Sequence, residues 1–161
     1  MEHPLRRPDE ILAYRPLRQI LAARPNELWT IGPKDNVLTA MHLMADKNIG
    51  FLVVMDNKAI VGVISERDCV RRLVLAGKAP EATPVADIMV QDVVTADIGS
   101  ALGDCLKLMQ THHIRHLPVM QNGSAIGVLS IRDLLSEAVA HHAKVIDELE
   151  RERLTMLMSI I

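Results

Sequence analysis

The chain has 161 residues, 49% apolar and 24% charged, a globular balance that excludes a disordered or low-complexity protein. Eighteen Lys and Arg against twenty Asp and Glu leave a formal charge of −2, so no strong field draws in nucleic acid. The aromatic residues are Tyr14, Trp29 and Phe51, too few for base-stacking platforms, so a planar ligand ring would have to lie between aliphatic side chains.

Met1 to Pro8 carries Arg6 and Arg7 without a following apolar stretch, and residues 1–16 read as an N-terminal tail. No apolar run approaches the ~18 residues of a membrane span, so the expectation is a soluble, cytoplasmic protein without a membrane partner. Cys69 and Cys105 stand alone in apolar runs without metal-ligand spacing, which predicts two buried thiols in a reducing compartment.

An internal repeat organises the rest. Gly62-Val63-Ile64-Ser65-Glu66-Arg67-Asp68 recurs as Gly127-Val128-Leu129-Ser130-Ile131-Arg132-Asp133, an offset of 65 residues. The same offset pairs Thr30 with Thr95, Leu43-Met44 with Leu108-Met109, Asn57 with Asn122 and Val74 with Val139. Each copy opens with a short strand signal that has a Thr at or next to its end, Leu28 to Ile31 and then Val93 to Thr95. A helical stripe follows at i, i+3, i+4, i+7: Val37, Ala40, Met41, Met44 in copy one, and Leu102, Cys105, Leu106, Met109 in copy two. Two apolar runs split by Asp56-Asn57-Lys58 or Gln121-Asn122-Gly123 predict a hairpin. The second run ends at Ser-x-x-Asp and enters a helix, Arg67 to Leu75 or Arg132 onward.

The fold class is therefore α/β (α+β): two β-α-β-β-α units, residues 17–77 and 84–140, with Pro80, Thr83 and Pro84 punctuating the join. Units this small bury little core alone, so the two are expected to pack pseudo-symmetrically. Residues 141–161 form a C-terminal helical extension. Leu135, Val139, His142, Ile146 and Leu149 follow a 4-3-4-3 spacing, suited either to packing on the same domain or to self-association. The stripes at Val37/Met41/Met44 and Val70/Val74 exceed what a thin pair can cover, which predicts a homodimer with twofold symmetry.

Ser65-x-x-Asp68 and Ser130-x-x-Asp133 sit where a strand becomes a helix. Each spacing suits a capping box, Ser at the N-cap and an acid at the third helical position. Repeated in register, they also suit a nucleotide: free N–H groups for phosphate and a carboxylate for ribose hydroxyls.

The duplicated unit with Gly-apolar-apolar-Ser-x-x-Asp, and the strand start Ile114-Arg115-His116-Leu117-Pro118-Val119, resemble the tandem CBS domain (Bateman module) over roughly Leu17 to Ala140. The resemblance implies a stand-alone regulatory module, commonly a homodimer. It would bind an adenosine-containing ligand (AMP, ADP, ATP, S-adenosylmethionine or NAD) in clefts between the copies and act on a regulated protein that the sequence does not identify. By position, Asp68 and Asp133 would hold ribose hydroxyls, Ser65 and Ser130 would face the ribose-phosphate, and the adjoining Arg67 and Arg132 would also bind the ligand. Thr30 and Thr95 would contact the ligand, and the segments containing Gly50, Phe51 and Val53 and containing Arg115, His116 and Pro118 would line the adenine. Copy two places Arg115 where copy one has Gly50, which suits it to phosphate oxygens and makes the clefts unequal. His112, His113 and His116 read as phosphate or solvent contacts rather than metal ligands, and His141-His142 as a solvated face. With no nucleophile–base pair, P-loop or metal constellation, a non-catalytic module is expected. A constitutive dimerisation scaffold with vestigial ligand sites is the alternative.

Overall fold

A computed structural model describes residues 13–23 and 28–158. Pro16 precedes a short helix α1 (Leu17–Ala22). Copy one follows as β1 (Thr30–Ile31), α2 (Val37–Lys47), β2 (Phe51–Asp56), β3 (Ala59–Ser65) and α3, an α-turn Glu66–Asp68 that widens into a π-helical stretch Cys69–Val74. After a 3₁₀ turn at Val85–Asp87, copy two repeats the plan: β4 (Ala96–Asp97), α4 (Leu102–Thr111), β5 (His116–Gln121), β6 (Ser124–Ser130) and α5 (Ile131–Met158). The two copies build separate three-stranded sheets, ordered β1-β2-β3 and β4-β5-β6. In each, the first pairing is parallel and the second antiparallel.

Local chemistry accounts for these elements. Asn36 caps α2 by accepting from the Thr39 N–H at 2.8 Å, and Asn48 ends it in the left-handed region at φ 52°. The hairpin turns carry positive φ at both central residues, Asn57 and Lys58 in one copy and Asn122 and Gly123 in the other, as a type I′ turn requires. The predicted helical stripes face inward: Val37, Ala40 and Met44 are buried in one core, Leu102, Cys105 and Met109 in the other. Val37 and Met44 are thus core residues, not part of a dimer face as the stripe suggested. Only Val70 and Val74 of that expected face stand exposed.

Two sequence expectations shift. The opening strands begin at or just after the Thr expected near their ends: β1 starts at Thr30, and β4 starts just after Thr95. The ladder to β2 or β5 spans only two residue pairs, and in copy two the residues ahead of it run beside the neighbouring copy instead. His141 and His142 are not a merely solvated face. Tyr14 lies 4.5 Å from the His141 ring, centroid to centroid, and its hydroxyl is 3.1 Å from His142 Nε2.

The copies are held together by exchange. Leu17, Ile20 and Leu21 lie ahead of β1 in the first unit yet are buried in the core of copy two, against Leu102, Met109, Leu129 and Leu134. Val85 and Ile88, ahead of β4 in the second unit, are buried in the core of copy one with Val37, Ile64 and Leu73. The terminal helices secure the exchanged segments at equivalent positions. Arg72 on α3 donates to the carbonyls of Ile88 and Met89, at 3.2 and 3.0 Å. Glu137 on α5, 65 residues later, accepts a bidentate pair from Arg15. Arg15 holds the buried Glu137 carboxyl below its ordinary value despite the opposing effect of burial.

Candidate functional site

The join between copies runs along the edge of β3. Val63 and Val90 exchange backbone hydrogen bonds of 2.9 and 2.8 Å. Gly62 makes the approach possible: a Cβ there would stand 2.6 Å from Met89 Sδ and 3.0 Å from the Val90 carbonyl oxygen. The segment from Val90 to Val94 thereby becomes one wall of a cleft of about 270 Å³. The start of β2, the end of β3 and the head of α3 form its copy-one side, and residues 113–118 close it from copy two.

Of the residues singled out in the sequence, Gly50, Phe51, Ser65, Arg67, Asp68, Arg115, His116 and Pro118 line this cleft. Thr30, Val53, Thr95, Ser130, Arg132 and Asp133 do not. Val53 is fully buried, while Thr30 and Thr95 are exposed elsewhere on the strands' approaches. Ser130, Arg132 and Asp133 sit at the equivalent head of α5, 65 residues later. The structure thus joins the Ser-x-x-Asp of copy one to the Arg115 segment of copy two.

Sequence reasoning missed Val90, Asp92, Val93 and Val94, because the wall comes from the stretch ahead of β4 that lies on copy one's sheet. It also missed Val63, Glu66 and Ile114, and it read His113 without placing it in a cleft. His113 ends α4 in the left-handed region, φ 54°, at the position equivalent to Asn48, which offered a signal through the offset of 65. The apolar surfaces are largely aliphatic, from Val63, Val90, Val93, Val94, Ile114 and Pro118. Phe51 and His116, equivalent positions in the two copies, add a stacked pair with centroids 4.8 Å apart and planes 15° from parallel.

At the head of α3, Asp68 Oδ2 accepts from the Ser65 N–H at 2.9 Å and from its hydroxyl at 2.6 Å. The Asp68 N–H donates back to Ser65 Oγ at 3.3 Å, completing a capping box. Ser130 and Asp133 repeat the arrangement at 2.7, 2.5 and 3.2 Å. The first helical N–H is engaged as well: Glu66 donates to the Gly50 carbonyl and Ile131 to that of Arg115. The free helix N-terminus expected for phosphate is therefore largely spent on the fold. Phosphate recognition passes to side chains. Arg115 is exposed at the cleft and has no carboxylate within 4.0 Å among the described residues.

Among the described residues, no group of three His, Cys, Asp or Glu stands close enough to hold a metal ion. Cys69, just behind Asp68, is a free buried thiol pushed up to about 11 by burial and by the neighbouring carboxylate. Cys105 is also free and buried, and its pKa is raised chiefly by desolvation.

Comparison with known proteins places these features. The family model described as the CBS domain matches residues 18–75 and 85–140. A structure described as a putative signal-transduction protein with CBS domains from Burkholderia ambifaria is 39% identical, with a TM-score of 0.73 over 76% of this chain and 92% of that one. The mitochondrial CBS domain-containing protein CBSX3 of Arabidopsis thaliana is 33% identical over 122 residues, 73% of this chain and 58% of that protein. The CBS domain-containing protein YhcV of Bacillus subtilis is 29% identical over 105 residues, 65% of this chain and 74% of that protein. The chain thus spans little more than half the length of the plant relative. CBS pairs are in general regulatory modules for adenosine ligands. With the repeat, the fold and the family match in agreement, the chain belongs to the CBS-domain family and carries two tandem copies.

Proposed function

We propose that this protein is a non-catalytic regulatory module, acting in the cytoplasm as a homodimer, that binds an adenine nucleotide in the cleft between its copies. The observation that carries the reading is the convergence, across the copy boundary, of the Ser65–Asp68 carboxylate, aliphatic walls and the exposed guanidinium of Arg115. Asp68 Oδ2 serves the capping box, leaving Oδ1 to face ribose hydroxyls. Val63, Val93 and Ile114 suit an adenine ring, and Arg115 suits a phosphate. A volume of about 270 Å³ lies just below the ~300–1,000 Å³ of ordinary ligand pockets, which favours a mononucleotide such as AMP over ADP, ATP, S-adenosylmethionine or the dinucleotide NAD. Because both copies supply walls, a ligand there favours one relative arrangement of the copies, which is the requirement for regulation. Regulation also implies a further protein that responds to that arrangement.

The dimer reading rests on a pseudo-twofold apolar face. Val70 and Val74 on α3 are equivalent by the 65-residue offset to Leu135 and Val139 on α5, and all four are at least half exposed. A C₂ pairing covers them twice over. The free, buried Cys69 and Cys105 support a reducing compartment.

Calorimetric titration of the purified protein with AMP, ADP, ATP, NAD, S-adenosylmethionine and adenosine tests the ligand reading, with AMP expected to bind most tightly. If none of these binds at millimolar concentration, Ser-x-x-Asp reduces to two helix caps, and the constitutive dimerisation scaffold replaces the sensor.

A further inference from the structure

Helix α5 has 28 residues, whereas its counterpart in copy one ends at Val74. The match to the CBS family stops at residue 140, so the last 18 described residues of α5 run on for about 27 Å. They are not a polar spacer. Beyond Leu135 and Val139 the 4-3-4-3 spacing continues through His142, Ile146 and Leu149; the stripe breaks at the charged Arg153, and Met156 takes the next position of the spacing. Ile146 is 58% exposed, Leu149 54% and Met156 58%, while Tyr14 contacts the seam at His142. Asp147 and Arg151 form an i,i+4 ion pair of 2.9 Å off the seam, which supports the helix without partners.

We infer that the distal half of α5 pairs along this seam with the same helix of a second copy, as a short coiled coil extending past the paired domains. The inference rests on the homodimer proposed above, and surface area argues for it. Covering a large aliphatic side chain removes on the order of 60–120 Å² from water. Four residues on the domain face, each at least half exposed (Val70, Val74, Leu135 and Val139), supply roughly 240 Å² at that scale. A stable interface buries about 800 Å² per partner, roughly 500 Å² of it apolar. The domain face alone falls short, and the distal seam makes up the difference along the same helix face. Glu150 and Glu152 border the seam on its two sides and are complementary to an Arg153 of the partner helix.

The test compares dimer dissociation constants by sedimentation for the full chain and two double variants. Ile146→Glu with Leu149→Glu, which places charges on the distal seam, is expected to raise Kd by about 100-fold or more. Val70→Glu with Val74→Glu, confined to α3, probes the domain face separately. A distal variant that dimerises like wild type while the α3 variant does not overturns the coiled coil and leaves the proposed homodimer standing. A wild-type monomer at micromolar concentration overturns both. Where Ile146→Glu/Leu149→Glu loses helicity by circular dichroism, cross-linking replaces it. Ile146→Cys with Leu149→Cys should give an oxidised dimer on a non-reducing gel, with Asp147→Cys as the off-seam control. Absence of that product, or equal linkage from Asp147→Cys, overturns the inference.

Discussion

Arg115 and Asp68 divide the chemistry proposed for the cleft, and each has a signature. A charge-assisted contact to phosphate is worth about 1.5–3 kcal/mol, roughly ten- to a hundredfold in affinity. Arg115→Ala is therefore expected to weaken AMP by that factor while leaving adenosine nearly unchanged, as calorimetry would show. Equal losses for both ligands would assign Arg115 to the fold. The two Ser-x-x-Asp motifs allow an internal comparison. Because Asp68 and Asp133 each hold a capping box, Asp68→Asn and Asp133→Asn should each cost about 1 kcal/mol, lowering Tm by about 2–4 °C without ligand. Only Asp68 lines the described cleft, so Asp68→Asn alone should also diminish the thermal shift produced by AMP. Thermal-shift titration of both variants checks this, and equal AMP shifts in the two would remove ribose from the account.

At the scale of elements, the cleft depends on how closely the join between copies lies on β3. Gly62→Ala introduces a Cβ against the Val90 carbonyl, which is tied to the Val63 N–H and has little room to retreat. The expected cost is about 1–3 kcal/mol in denaturant unfolding, accompanied by weaker nucleotide binding as the wall shifts. The Arg15–Glu137 pair joins the N-terminal segment to α5 and makes part of the stability depend on pH. Arg15 depresses the folded-state pKa of Glu137, so its contribution is complete above the unfolded carboxylate value of about 4.3 and fades as pH falls through the lower folded value. Wild type should therefore melt above Glu137→Gln at pH 7, with the gap closing below about pH 4. A gap that stays constant across that range would exclude the ion pair as its source.

For the whole molecule, the exchange of lead-in segments makes the copies interdependent. Copy two expressed as residues 84–161 lacks Leu17, Ile20 and Leu21, three buried members of its core, and should not fold by circular dichroism or NMR. In the intact chain, Ile20→Ala should cost about 2–5 kcal/mol and destabilise the molecule in a single transition, although residue 20 belongs to the first unit and fills the core of the second. Two separate transitions by calorimetry would show that the exchange does not couple the copies.

The duplication, the β-α-β-β-α order and the identity of the core stripes were legible in the sequence, because they depend on short-range periodicity and on a constant offset of 65 residues. The hairpin turns were legible for a similar reason: Asn-Gly and its counterpart Asn-Lys act within four residues. The capping boxes, likewise local, followed from Ser-x-x-Asp alone. What depended on tertiary structure was which copy each segment serves. Nothing in the spacing of Leu17, Ile20 and Leu21 says that they fill the second core, since burial is satisfied by any complementary apolar surface. The same limit hid the Val90–Val94 wall, which exists because Gly62 admits a neighbouring backbone. It also hid the use of the first helical N–H groups, which the Gly50 and Arg115 carbonyls occupy from the neighbouring strand of each hairpin. Local pattern determined the elements, and non-directional burial between distant segments decided how they were shared.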